Sequence, residues 1–185
     1  MNLQKSFKTT VMKKITSLFV LLMAFVCQGA FAQSAATANS ATINFITNAT
    51  VANMKEIATG KLAEKKAKDA LVKAFGAKMI DHHTMATKQM AELVKTKKID
   101  VPKPPVAMTT PDSMLANSSG AEFDRMYITM MIADHKKTIA LFETASTKLT
   151  DADLKAFAIK TLPMLKQHLA EVQGIATKLN ITATE

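Results

Sequence analysis

The chain has 185 residues, a formal net charge of +9, thirteen methionines and a single cysteine. That length fits one domain with short appendages, and one thiol excludes a disulfide framework. The basic residues are spread among acids along helix-patterned segments instead of gathering into an arm, which argues against nucleic-acid binding.

At the start, Met12-Lys13-Lys14, the apolar run Ile15 to Val26 and the small-residue pattern Ala30-Phe31-Ala32 read as a secretory signal over residues 1–32. Met12 is an alternative initiation point. Lipid attachment at Cys27 is the rival reading, but Val26 stands where a small residue is expected. Cleavage before Gln33 removes Lys5, Lys8, Lys13 and Lys14 with no acid, so the formal charge falls to +5. The exported chain then has no cysteine, and no later segment approaches the ~18 apolar residues of a spanning helix. A soluble protein of the periplasm or outer-membrane surface is expected, with no more than weak attraction to an anionic surface.

Residues 33–40 are small and polar and read as a disordered lead-in. A four-helix bundle is expected over 41–180. Its first helix begins near Thr42, with Phe45, Ala49, Ala52, Ile57 and Leu62 as the inward stripe, and Gly60 weakens it. The lysine-rich stretch 65–68 holds the turn. The second helix runs from about Asp69 to Lys97, with Val72, Phe75, Met79, His82 or His83, Ala86, Met90 and Leu93 inward. Residues 99–120 carry Pro102, Pro104, Pro105 and Pro111 and form a long crossover. A third helix follows from about Ala121 to Lys148, with Phe123, Tyr127, Met130, Met131, His135, Ile139 and Phe142 inward. The fourth, capped by Thr150 or Asp151, carries Leu154, Phe157, Thr161, Leu165, His168, Val172 and Ile175, and Pro163 should kink it. A middle connection long enough to run the bundle's length makes the second and third helices parallel, so the fold class is all-α with ferritin-like connectivity.

The pattern Met-(Ile/Leu)-x-x-His occurs three times, ending at His83, His135 and His168. Residues four apart share a helix face, so Met79, Met131 and Met164 each accompany an imidazole. In the parallel arrangement His83 and His135 lie at similar height, with His168 and Glu56 within about one turn. Imidazoles from three helices at one level form a candidate site for copper, zinc, iron or nickel, and the thioethers favour Cu(I). Asp81 and Asp134 are candidate ligands or ring-orienting groups. The plain alternative is a methionine-rich core with hydrogen-bonded histidines. No Glu-x-x-His pair exists to build a di-iron centre, and neither a nucleophile elbow nor a phosphate loop is present. Catalytic and cofactor-binding residues are therefore not assigned, and a metal-dependent enzyme ranks third, behind a metal-binding protein and a metal-free module.

Four stretches carry a family resemblance: Met79-Ile80-Asp81-His82-His83, residues 120–127, Met131-Ile132-Ala133-Asp134-His135, and Leu162-Pro163-Met164 through His168. Over Thr42 to Thr177 the chain resembles a bacterial ferritin-like domain of unknown function whose members are commonly labelled predicted outer-membrane proteins. The double histidine resembles a sister ferritin-like family suspected of handling copper. His82 stands where the first family usually has Asp, and Met164 where it has a small polar residue. The resemblance implies an exported four-helix bundle at the cell envelope. The combined expectation is copper binding for storage, buffering or tolerance. The alternative is a metal-free envelope module that binds another protein.

Overall fold

The computed structural model describes residues 40–182. The expected signal segment lies outside the described residues. So does the expected lead-in, apart from Ser40, which is already helical. Four long helices make up the described region: α1 over residues 40–66, α2 (Ala70–Lys97), α4 (Gly120–Lys148) and α5 (Ala152–Lys178). Between α2 and α4 lie a single 3-10 turn (Val106–Met108) and the short helix α3 (Ser113–Asn117).

Aspartates start α2, α3 and α5, where their oxygens accept orphaned backbone N–H groups. Asp69 accepts from Leu71 N, Asp112 from Met114 N, and Asp151 from Asp153 N and Leu154 N. Each such cap contributes about 1 kcal/mol. α2 ends at Lys98 in the left-handed conformation, which lets the chain turn into the crossover. Pro163 does not interrupt α5. It and Ile159, four residues earlier, are both exposed, so the carbonyl that the proline leaves without its donor lies on the solvent side.

Cross-helix pairs fix the topology. Asn53 meets His83 and Gly60 meets Gly76, so α1 and α2 are antiparallel. Lys55 meets Asp134 and Phe45 meets Phe142, so α1 and α4 are antiparallel too. α2 and α4 are therefore parallel, joined by the long crossover, as in ferritin-like bundles. α5 returns antiparallel, with Lys78 against Glu171 and Lys97 against Asp151 and Asp153. Leu115 of α3 is buried in the apolar cluster that holds Phe123 and Tyr127, and anchors the crossover there.

Two local devices were hidden in the sequence. Asp124, buried on α4, accepts from Lys68 N at 3.0 Å and Asp69 N at 2.9 Å, tying the α1–α2 turn to α4. Gly60, read from sequence as a weakness, is a contact point instead. A Cβ there would lie 2.7 Å from Gly76 O, and one on Gly76 would lie 2.6 Å from Ala63 Cβ, so α1 and α2 approach through missing side chains. The expected α1 stripe needs correction as well. Beyond Ala49 the buried face runs through Asn53, Glu56, Thr59, Gly60 and Ala63, whereas Ala52, Ile57 and Leu62 are only half-buried. The helical spacing continues, but its occupants turn polar for three turns.

Candidate functional site

The bundle core is two apolar clusters separated by a polar layer. One cluster holds Ala63, Val72, Phe75, Met79, Phe123, Tyr127, Met131 and Val172. The other holds Phe45, Ala49, Met90, Ile139, Phe142, Phe157 and Leu165. On every long helix the positions between them are occupied by Asn53, Glu56, His83, His135 and His168, all buried. Burying so many polar groups at one level is costly unless each finds a partner, so their contacts decide what the layer is.

The three histidines expected from sequence do converge. Their nearest ligand atoms all lie within 4.8 Å of one another, and each residue is 1% exposed. Ring centroids are 5.9 Å apart for His83 and His135, 5.5 Å for His83 and His168, and 5.4 Å for His135 and His168.

Hydrogen bonds assign most of the ring protons. The Asn53 carboxamide oxygen lies 2.8 Å from His83 Nδ1 and can only accept, so Nδ1–H donates and Nε2 keeps its lone pair. His135 Nδ1–H donates to Met131 O at 2.9 Å, leaving Nε2 with a lone pair as well. That nitrogen faces His168 Nδ1 at 3.4 Å, long for a hydrogen bond. His168 Nε2 is 2.8 Å from Nδ1 of His82, whose half-buried ring stacks on it at a 5.0 Å centroid separation. Two buried atoms of this histidine and asparagine set have no partner, His83 Nε2 and Asn53 Nδ2.

Burial keeps the rings neutral. It holds His83 well below the ordinary imidazole range, with help from the neighbouring His135, His168 and His82. Burial also depresses His135, partly offset by its bond to Met131 O. His168 is pushed down to about 3 by burial and then by His135, His82 and Lys78. The opposite holds at Glu56, raised to about 8 by burial and by Asp134, against the pull of Lys55. Glu56 Oε1 is 3.8 Å from His135 Nδ1, and Oε2 has no partner. Tyr127 OH is also unpartnered, and burial together with Glu56 holds its proton on.

The remaining expected residues separate by helix direction. Met79 and Met131 are fully buried in the first apolar cluster. Because α5 runs against α2 and α4, the residue four before His168 falls on the other side of the layer, and Met164 packs on the second cluster. The three thioethers are thus not gathered together. Asp81 is exposed: two residues before His83 is about 200° around the helix, which turns it to solvent. Asp134 does not orient a ring but accepts from Lys55 Nζ at 3.0 Å. His82, expected to lie outside the set, touches it directly, and Asn53 was missed because a lone Asn on a helix carries no motif.

The arrangement defines a class: an all-α bundle whose apolar core is cut by a layer of neutral imidazoles. The chain belongs to the family described as domain of unknown function DUF4142, whose model matches residues 28–175. Among solved structures it is similar to a DUF305 protein from Streptomyces coelicolor described as secreted, with a TM-score of 0.67 and 11% identity, covering 80% of this chain and 96% of that one. It is also similar to a conserved hypothetical protein, rv2844, from Mycobacterium tuberculosis, with a TM-score of 0.62 and 12% identity, covering 80% and 99%. At such identity the likeness is one of fold. No curated protein matches the chain. None of these descriptions names copper or an outer membrane.

Proposed function

We propose that this protein binds one transition-metal ion through His83 Nε2, His135 Nε2 and His168 Nδ1, and that it buffers or stores that ion, copper first among the candidates, in the cell envelope. The observation that carries the reading is the orphaned His83 Nε2: an acceptor in the dry core, held in place by the bond its other nitrogen makes. A purely structural layer gains nothing from leaving that atom bare.

The spacing supports a metal, since one donor atom from each of the three histidines lies within 4.8 Å of the other two. Two imidazole nitrogens ~2.0–2.1 Å from a tetrahedral ion lie about 3.3 Å apart, and His135 Nε2 and His168 Nδ1 are 3.4 Å apart. Each outward nitrogen has an acceptor to fix the ring: Asn53 Oδ1, Met131 O and, once His168 carries its proton on Nε2, His82 Nδ1. Neutral rings need no proton displaced before coordination. Three imidazoles suit copper, zinc, iron and nickel alike, and Met79 and Met131, one turn from His83 and His135, are the reason for testing Cu(I) first. Export to the periplasm or outer-membrane surface belongs to the same reading and is supported by the signal-like residues 1–32 and by the secreted description of the DUF305 relative. Among the described residues no helix is long and apolar enough to cross a membrane.

The second reading is a metal-free module whose histidines satisfy one another, and the close His82–His168 contact favours it. Titrating the protein with Cu(I) and with Zn(II) separates the two. The metal reading expects about one equivalent bound and a gain in stability of RT ln(1 + [L]/Kd), seen as a higher unfolding temperature, both lost in His83→Ala. The metal-free reading expects no stoichiometric binding by the wild type and a His83→Ala variant that is merely less stable.

A further inference from the structure

An ion bound among three histidines that are each 1% exposed must have a way in, and α1 and α4 provide one. Between them lies a cavity of about 390 Å³ whose lining includes Lys55, Glu56, Met108, Asp134, Thr138 and Leu141. Three features mark it as more than surface relief. At its inner end is Glu56, whose Oε2 is buried without a partner and whose Oε1 is 3.8 Å from His135 Nδ1. Met108 of the crossover, 49% exposed, contributes a thioether to the lining. The Lys55–Asp134 ion pair links α1 to α4 along the cavity, and at about 30% exposure such a pair holds weakly and in a salt-sensitive way.

We infer that this cleft is the passage through which the metal ion reaches the histidine layer, with Lys55–Asp134 as a strap that must part and Glu56 at its inner end, where the ion rounds the Nδ1 edge of His135 to reach Nε2. The inference rests on the metal-binding reading above. The opposite seam, between α2 and α5, is the competing route. There, however, Lys78 reaches both Glu171 oxygens at 2.7 Å, where Lys55 reaches one oxygen of Asp134, and His82 stacks over His168 and occupies the seam.

The test follows uptake of cobalt(II), whose visible absorption reports tetrahedral coordination, by stopped flow. In a Cys27→Ser background, Thr138→Cys places a unique thiol in the cleft and Met85→Cys places one on an exposed position of α2. Each is coupled to a bulky maleimide after folding, so the fold is made before the block is added. The passage predicts that the label in the cleft slows uptake at least about ten-fold, that the α2 label changes it less than about two-fold, and that the final affinity is similar in both. Lys55→Met, which cuts the strap, should speed uptake and weaken its salt dependence. Uptake unaffected by the cleft label, or slowed equally by the α2 label, overturns the passage while leaving the metal site standing. A wild-type protein that binds no cobalt(II), Cu(I) or Zn(II) overturns both.

Discussion

Asn53 holds His83 through one bond of 2.8 Å, and that bond decides which ring nitrogen faces the other imidazoles. Asn53→Ala should therefore weaken metal binding by about 10–100-fold, the usual loss when an outer partner of a histidine ligand is removed. Asn53→Asp keeps the acceptor and should retain most of the affinity. Calorimetric titration of the two variants reads the difference, and equal losses would mean that the Asn53 acceptor is not what matters. Glu56 behaves differently: raised to about 8, it is protonated in the folded protein at neutral pH, so Glu56→Gln should fold about as well as the wild type near pH 6. The sequence exposed the histidines, because three of them share one spacing, and it placed Glu56 near their height, but it showed neither that carboxyl's protonation nor Asn53 at all. A buried Asn or protonated Glu looks, residue by residue, like a solvent-facing one.

At the scale of elements, α1 and α2 depend on the absence of two side chains. Glycine inside an exposed helix costs up to ~1 kcal/mol relative to alanine, so Gly174→Ala, with nothing within 4 Å of the added Cβ, should be stabilising. Gly76→Ala should reverse the sign, losing about 1–3 kcal/mol, because its Cβ meets Ala63 Cβ at 2.6 Å and the helices must part. Urea unfolding of the pair measures this, and a stabilising Gly76→Ala would show that the helices are not in contact there. The ends of α2, α4 and α5 were legible to within a residue or two, since aspartate caps, the proline run and the apolar spacing all act locally. The α1 stripe was misread because its buried face passes through the polar layer. Met164 was misassigned because spacing along one helix carries no information about the direction in which that helix crosses its neighbours.

For the molecule as a whole, the polar layer sets the response to pH. His83, His135 and His168 have folded pKa values below the ordinary 6.5, so the unfolded chain takes up protons that the folded one refuses. The stability they provide is present above 6.5 and lost as pH falls toward their folded values. Glu56 acts in the opposite sense: its folded value of about 8 stands against 4.5 for the free group, so stability is lost as pH rises through that window. The metal-free protein should be most stable near pH ~7, and near pH ~5.5 it should lose stability with a slope of about two protons. Glu56→Gln should remove the decline on the alkaline side. Denaturant midpoints across pH 5–9, converted to free energies, give the curve, and a monotonic rise through pH 8 would contradict the buried, protonated Glu56. Topology was legible at this scale because a crossover of some twenty residues leaves few ways to close four helices. The layer's chemistry was only half legible, since sequence shows which donors share a height but not which nitrogen of each ring is free.

The central claim is that three particular ring nitrogens, His83 Nε2, His135 Nε2 and His168 Nδ1, converge on one ion, and imidazole nitrogen NMR of the uniformly 15N-labelled protein tests it most directly. On adding one equivalent of Zn(II) or Cu(I), both diamagnetic, those three resonances should move together to metal-bound positions. His83 Nδ1 and His135 Nδ1 should stay protonated, and His168 should carry its proton on Nε2, donated toward His82. Spectra that do not change with metal, or that change only at half-buried His82, would contradict the account and leave the histidine layer as a metal-free part of the core.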